Sequence, residues 1–312
     1  MKVSKLSKIP EFDPYSECKY VSAGNSIMIM SSDHWNKNAH IQKIDSERYI
    51  LLNTGEIKEF NRWENRSEGT GSIRKSIQKL RDLINANAYI PENLLWVTLT
   101  YAENMTDVKK LYNDGDKFNK RLKYYLKKVS IDIPEYIAVI EPQSRGAWHY
   151  HILFIWNHKA PFIDNSIISK IWGHGFCKTK AVNNVDNLGA YFSAYLCNLP
   201  VEECENYDYK SVIEADIDEN GNKEKKKFVK GSRLQLYPNG VNLYRTSRGI
   251  KKPDTEYLPL CEAQNRVKEL SQQYQTAFCL TDEQTSMNIT IVKTFYNRQR
   301  HNNTDNKGGK RN

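Results

Sequence analysis

Glu141 to His151 reads EPQSRGAWHYH, and the rest of the chain is interpreted outward from it. Before it stands YIAVI (Tyr136–Ile140) and after it ILFIW (Ile152–Trp156), both β-branched and aromatic, so both read as strands. Pro142, Gln143, Ser144, Arg145 and Gly146 supply the turn between them, which predicts an antiparallel hairpin. Alternation along a strand puts His149 and His151 on one face, with Trp148, Tyr150 and Ile152 on the other. Glu141 ends the partner strand within reach of the His face. Two imidazoles and a carboxylate converging from a rigid hairpin form a site for a divalent metal with open coordination positions. A His-x-His pair alone is a weak motif, and on a strand it is often an ordinary half-buried feature, so other parts of the chain have to agree with it.

Upstream, NLLWVTLTY follows Pro91 as a strand, with Trp96, Thr98 and Thr100 on one face opposed by Val97 and Leu99. Before it, Ser72 opens a helix whose apolar stripe is Ile73, Ile77, Leu80 and Ile84. Thr106 to Val129 reads as helical with a break at Asp114-Gly115-Asp116. Its second half carries Lys117, Lys120, Arg121, Lys123, Lys127 and Lys128 around Phe118, Leu122 and Leu126. Downstream, Asp164 caps a short helix, IISKIW, and Gly173 to Val182 reads as turn and strand, with His174 in the loop. Asp186 or Asn187 then caps NLGAYFSAYLCNL, which Pro200 stops. Tyr191 and Tyr195 are spaced i, i+4 and leave this helix on one face, beside an apolar docking stripe of Leu188, Phe192, Leu196 and Leu199. An aromatic pair at that spacing is more often packing than chemistry.

The flanking regions carry less information. Residues 1–68 read as a β-rich segment, with strands at SIMIM (Ser26–Met30) and RYILLN (Arg48–Asn53). An acidic stretch, 202–220, gives way to the basic run Lys223–Lys227 across Asn220-Gly221-Asn222, an exposed hairpin or flexible insertion. Arg233 to Pro253 returns to strand pattern and mixes Tyr237 and Tyr244 with Arg245, Arg248, Lys251 and Lys252, a pairing used on single-stranded nucleic acid. Glu256 to Cys279 reads as an amphipathic helix, and Asn302 to Asn312 as a polar, basic, disordered tail.

Composition agrees with a nucleic-acid partner. The 312 residues carry a formal net charge of +9 and 19 Tyr. The six cysteines (18, 177, 197, 204, 261 and 279) form no C-x-x-C pair, which argues against a zinc ribbon and a disulfide framework and for a reducing cytoplasm. No apolar run is long enough to span a membrane, and no Walker A sequence marks a fused helicase.

Three of these stretches, in this order over about a hundred residues, resemble a known family. Glu141-x7-His149-x-His151 resembles the metal motif of HUH-type rolling-circle replication initiators, the Rep proteins. WVTLTY (Trp96–Tyr101) is similar to their first motif and AYFSAYLCN (Ala190–Asn198) to their tyrosine-bearing third. The segment YPNGVNLYRTSRGIKKP (Tyr237–Pro253) resembles the stretch after the tyrosine helix in phage and plasmid relatives. The resemblance implies an α+β fold: a central antiparallel sheet of about five strands with flanking helices, the tyrosine helix packed across the metal face. It implies a nicking domain over residues 69–255 with its core at 92–200, followed by a C-terminal helix and tail over 256–312.

It also implies a function. Glu141, His149 and His151 would hold Mn²⁺ or Mg²⁺, and Tyr191 and Tyr195 would attack single-stranded DNA at a replication origin. The product is a 5′-phosphotyrosyl link and a free 3′-OH, and the partners are the host helicase and polymerase. Arg145, Lys178, Lys180, Arg245 and Arg248 are the expected DNA contacts, and the setting is the bacterial cytoplasm, with the gene on a phage or mobile element. One departure stands out. The family pattern places a lysine three residues after each tyrosine, and here those positions are Ala194 and Asn198. A substitute cation (Lys178, Lys180 or Arg145) or impaired chemistry are both open. An HUH transposase or relaxase shares the chemistry, and a single-strand binding module that lost it shares the fold. A two-His-one-carboxylate iron oxygenase would space its ligands differently.

Overall fold

The computed structural model describes residues 2–35, 41–45, 47–60, 70–182, 188–204, 211–219, 222–238, 240–282 and 287–301. The chain divides into two compact units. Trp63–Lys252 forms one, and Met1–Arg62 together with Pro253–Asn312 forms the other.

In chain order, the first segment contributes β1 (Lys2–Lys5), β2 (Glu17–Ala23), β3 (Ser26–Ser32), β4 (Ile41–Lys43), β5 (Arg48–Leu51) and β6 (Ile57–Glu59). The hairpin-bearing unit begins with α1 (Thr70–Asn87), β7 (Leu94–Tyr101), α2 (Val108–Lys128), β8 (Glu135–Pro142) and β9 (Trp148–Ile155). It continues through α3 (Asn165–Trp172), β10 (Gly175–Ala181), α4 (Leu188–Cys197), β11 (Leu199–Pro200), β12 (Val212–Glu219), β13 (Asn222–Val229) and β14 (Tyr244–Thr246). Last come β15 (Asp254–Pro259), α5 (Leu260–Arg266), β16 (Leu270–Asp282) and β17 (Met287–His301).

The expected α+β architecture is present. A five-stranded antiparallel sheet in the order β10-β7-β9-β8-β14 forms the centre of the hairpin-bearing unit. Its strands carry apolar residues on both faces because helices cover both. Val97, Leu99, Ile140, Tyr150 and Ile152 pack against Leu111, Phe118, Leu122 and Leu126 of α2 and Ile168 and Trp172 of α3. The opposite face turns Leu94, Ile137, Val139 and Leu153 toward Leu80 and Ile84 of α1 and Leu188, Phe192 and Leu196 of α4. This second face also carries the His pair, so the tyrosine helix docks on the metal side of the sheet. The helix's expected caps, Asp186 and Asn187, lie outside the described residues, as does Asn302–Asn312.

Three sequence expectations are corrected. Helix α2, capped by the Asp107 side chain, runs without a break through Asp114-Gly115-Asp116. The glycine serves a close approach instead of a turn: a Cβ on Gly115 would stand 2.7 Å from the Tyr150 ring. Asp114 is buried and accepts a hydrogen bond from the Tyr101 hydroxyl at 3.0 Å. Arg233 to Pro253 is mostly irregular, with a 3-10 turn at Ser232–Leu236 and only Tyr244–Thr246 extended in the sheet, paired to β8. Glu256 to Cys279 is not one helix; only Leu260–Arg266 is helical, and β15 and β16 flank it. The alternation Tyr274, Thr276, Phe278 follows the two-residue period of a strand, and cross-strand pairing to β17 outweighs local helical tendency.

The acidic and basic runs form an antiparallel hairpin, and its register sets Glu214 opposite Lys227, Asp216 opposite Lys225 and Asp218 opposite Lys223. Opposite charges directly across a strand pair favour this register. In the other unit, a six-stranded sheet, β1-β16-β17-β3-β2-β15, packs one face on α5 through Cys18, Tyr20, Ile29, Ala263 and Val267, and β4-β5-β6 form a separate small sheet. All six cysteines are free thiols. Among the described residues, no helix is long and apolar enough to cross a membrane.

Candidate metal centre

The β8–β9 hairpin closes through Gln143 to Ala147, with the Gln143 N–H bonded to the Ala147 carbonyl at 2.8 Å. Gly146 adopts φ +82°, a left-handed conformation that glycine takes at no steric cost. The hairpin register sets Glu141 directly opposite His149, and β7 sets Thr100 opposite His149 and Thr98 opposite His151. Directly paired residues project to the same face, so the register alone brings the carboxylate and the two imidazoles together.

The ligand atoms of Glu141, His149 and His151 all lie within 4.8 Å of one another. Glu141 and His151 are buried, while His149 is partly open to solvent. The two carboxylate oxygens have different partners. Oε2 faces the imidazoles, 2.7 Å from His151 Nε2 and 3.5 Å from His149 Nδ1. Oε1 is held by the Arg233 guanidinium at 2.8 Å. Burial raises the carboxyl pKa, but the hydrogen bonds from His149 and His151 and the charge of Arg233 outweigh it and hold Glu141 well below the usual carboxylate range. Glu141 is therefore an acceptor, and His151 donates to it through Nε2–H.

The other ring nitrogen, His151 Nδ1, is 3.0 Å from the Thr98 hydroxyl. A hydroxyl both donates and accepts, so Thr98 can serve either tautomer, including the one that frees Nε2 for a metal. Trp96 stacks on the His151 ring (centroids 5.2 Å apart) and on Phe192 of α4 (3.9 Å), which wedges the imidazole between sheet and helix. One carboxylate oxygen and two imidazoles, close together with one side solvent-facing, fit a divalent ion with open positions. Arg233 on the second oxygen restricts Glu141 to one-oxygen ligation.

Arg233 is also where the tyrosine helix meets the centre. Its Nε donates to the Asn198 carbonyl at 3.1 Å, just past the end of α4, and its Nη1 also donates to the Pro142 carbonyl at 2.8 Å. Asn198, one of the positions lacking the family lysine, is buried, and its Oδ1 accepts from the Gly231 N–H. The Tyr237 hydroxyl bridges the Ile140 and Leu196 carbonyls, so this side chain, expected among the DNA-facing aromatics, is committed to packing.

The remaining expected residues separate by face. Tyr191 and Tyr195 are positions on α4, and their side chains lie outside the described residues. Lys178 pairs with Thr98 and Lys180 with Trp96, so both are on the metal face, exposed. Arg145 is exposed in the hairpin turn, and Arg248 is exposed beyond β14. Arg245 is on the opposite face, ion-paired with Asp116 at 3.3 Å and stacked 3.9 Å over the Tyr112 ring. His174 is on that face as well, 3.7 Å from Asp114 and away from the metal cluster. Sequence reading missed Arg233 and the specific pairing of Thr98 with His151. The first is hidden within a basic run, and the second needs the β7–β9 register.

Comparison with curated proteins and with solved structures gives no match. The segment spanning residues 94–199, which contains the whole Glu141–His149–His151 cluster and α4, matches the family model described as replication-associated protein ORF2, which supports its assignment to the HUH Rep superfamily.

Proposed function

We propose that this chain initiates rolling-circle replication by cutting and transferring single-stranded origin DNA through a tyrosine. The observation that carries this reading is the packing of α4, the helix bearing Tyr191 and Tyr195, onto the same sheet face as the Glu141–His149–His151 cluster, with Phe192 stacked on Trp96 and Trp96 on His151. The family match over residues 94–199 points the same way.

A Tyr hydroxyl is a weak nucleophile at neutral pH and needs to be held in line with a polarised phosphate. A divalent ion on Glu141, His149 and His151, Mn²⁺ or Mg²⁺, supplies Lewis-acid polarisation of a non-bridging oxygen. The chain's own residues do the rest. His151 is fixed by Thr98 and Trp96, Glu141 is kept ionised by its buried partners, and Arg233 ties the end of α4 to the carboxylate. The Tyr191 or Tyr195 oxygen bonds to phosphorus as the bond to the 3′ oxygen breaks. The phenolic proton leaves to water, and the released 3′-OH is the primer end that a polymerase extends. The phosphotyrosyl link conserves the bond energy, so a second tyrosine one turn away permits a later transfer without ATP. Lys178, Lys180, Arg145 and Arg248 are the exposed cations proposed to meet the strand.

The test is a denaturing gel of the protein with labelled single-stranded DNA from its own replicon, with Mn²⁺ and with chelator. The expected result is a metal-dependent, heat-stable adduct that disappears in Tyr191→Phe/Tyr195→Phe. Binding without any adduct on origin-derived strands would instead identify a single-strand binding module.

A further inference from the structure

On β10 the exposed residues are Phe176, Lys178 and Lys180, alternating with the partly buried Cys177 and Thr179. Phe176 is 70% exposed, unusual for a large apolar side chain on a strand whose other face packs into the core. Register fixes where it points. Phe176 pairs with Thr100, Thr100 with His149, and His149 with Glu141, so all four share one row across the metal face. Lys178 begins the next row, continuing through Thr98 and His151, and Lys180 the one after, through Trp96. Adjacent strands lie about 4.8 Å apart and alternate residues about 7 Å apart. Phe176 is therefore about 10 Å from His149 across two strand spacings, with the lysines following at about 7 Å steps. β10 is an edge strand of its sheet, so this strip opens outward from the centre.

We propose that Phe176 is a stacking platform for a base close to the phosphate held at the metal centre, and that Lys178 and Lys180 carry the adjoining phosphates. The inference rests on the nickase reading and names how its substrate is seated. An aromatic face accepts any base, and cations at alternate strand positions follow a charged backbone. This combination holds single strands without reading sequence.

The test measures binding of fluorescein-labelled oligo(dT) to the full-length chain by anisotropy across a salt series, beside the denaturing-gel adduct assay on origin strands. Phe176→Ala is expected to weaken binding about tenfold with the slope of log K against log salt unchanged, because stacking releases no counterion. Phe176→Trp restores affinity, and Lys178→Ala lowers the slope by about 0.7. Thermal melting of the exposed-site variants should match the parent. If the parent binds and forms the adduct while Phe176→Ala binds equally well, the platform is refuted and the nickase stands. If Phe176→Ala loses affinity together with salt slope or melting temperature, stacking is likewise refuted. A parent that binds no single strand overturns both readings.

Discussion

Arg233 offers the sharpest test of how this centre is built. Its side chain is 5% exposed and that of Glu141 1%, and one guanidinium serves three acceptors: Glu141 Oε1, the Pro142 carbonyl and the Asn198 carbonyl. Arg233→Met keeps much of the volume and removes the charge, leaving an ionised carboxylate buried beside two imidazoles. Breaking one partner out of a buried pair costs on the order of 3–5 kcal/mol, against a total stability of about 5–15 kcal/mol for a typical domain. The two carbonyls left short of a donor add to this, while the retained hydrogen bond from His151 subtracts from it, so the middle of that range is expected. Arg233→Lys keeps the charge but not the fork and should fall between.

Urea denaturation in the presence of chelator, followed by the fluorescence of Trp96, Trp148, Trp156 and Trp172, reads the loss directly. The control is Arg233→Met/Glu141→Gln, in which no buried charge is left unpaired. It should regain most of the stability that the single variant loses. Mn²⁺ should then rescue the single variant more than the parent, because the metal becomes the only full positive charge available to Glu141. A single variant within about 1 kcal/mol of the parent, the worth of a surface pair, would refute the reasoning. So would a double variant no more stable than the single one.

Other consequences arise from individual contacts. Thr98→Val, nearly the same shape without the hydroxyl, should lower Mn²⁺ affinity about 10–100-fold by titration calorimetry, since the unligated nitrogen of His151 loses its partner; unchanged affinity would remove Thr98 from the site. Gly115→Ala should destabilise by about 1–3 kcal/mol in thermal melts, despite the roughly 1 kcal/mol helix-propensity gain. The added Cβ would stand 2.7 Å from the Tyr150 ring, which is buried and has nowhere to move. Cys18 and Cys197, each pushed up to about 11 chiefly by burial, should resist iodoacetamide at pH 8 in the folded chain, as peptide mass spectrometry would read. A thiol of that pKa is ionised only about one part in a thousand there. Rapid labelling of either without prior unfolding would contradict the burial.

The parts of this molecule legible in the sequence are those whose physics is local. The period-two pattern around EPQSRGAWHYH fixes the hairpin and the face of each histidine, and the alternation in WVTLTY fixes Thr98 and Thr100 on that face. The stripe Leu188, Phe192, Leu196 similarly fixes how α4 docks. Misreadings arise where a tertiary contact reverses a local tendency. Asp114-Gly115-Asp116 has the composition of a turn, yet Tyr150 passes so close that glycine is needed inside a continuous helix. Glu256 to Cys279 mixes charge and apolar residues at near-helical spacing, yet β16 finds β17 and β1 as partners and extends.

Arg233 is illegible for a further reason: it comes 91 residues after Pro142, whose carbonyl it binds, and from an irregular segment with no motif of its own. A family pattern looks for a cation at a fixed offset from each tyrosine and finds Ala194 and Asn198. The fold instead brings a guanidinium from elsewhere to the Asn198 backbone and to Glu141. That cation is not equivalent to a free lysine. A buried guanidinium committed to three acceptors stabilises the ligand carboxylate and the helix end, but it cannot swing toward a phosphate. Any cation that follows the DNA has to be an exposed one, and on the metal face the edge strand presents Lys178 and Lys180. The charge near the centre is thus divided between a fixed residue that shapes the site and exposed residues placed to meet the strand. For that reason Arg233→Met should register chiefly in stability and metal affinity, and Lys178→Ala chiefly in the salt dependence of binding.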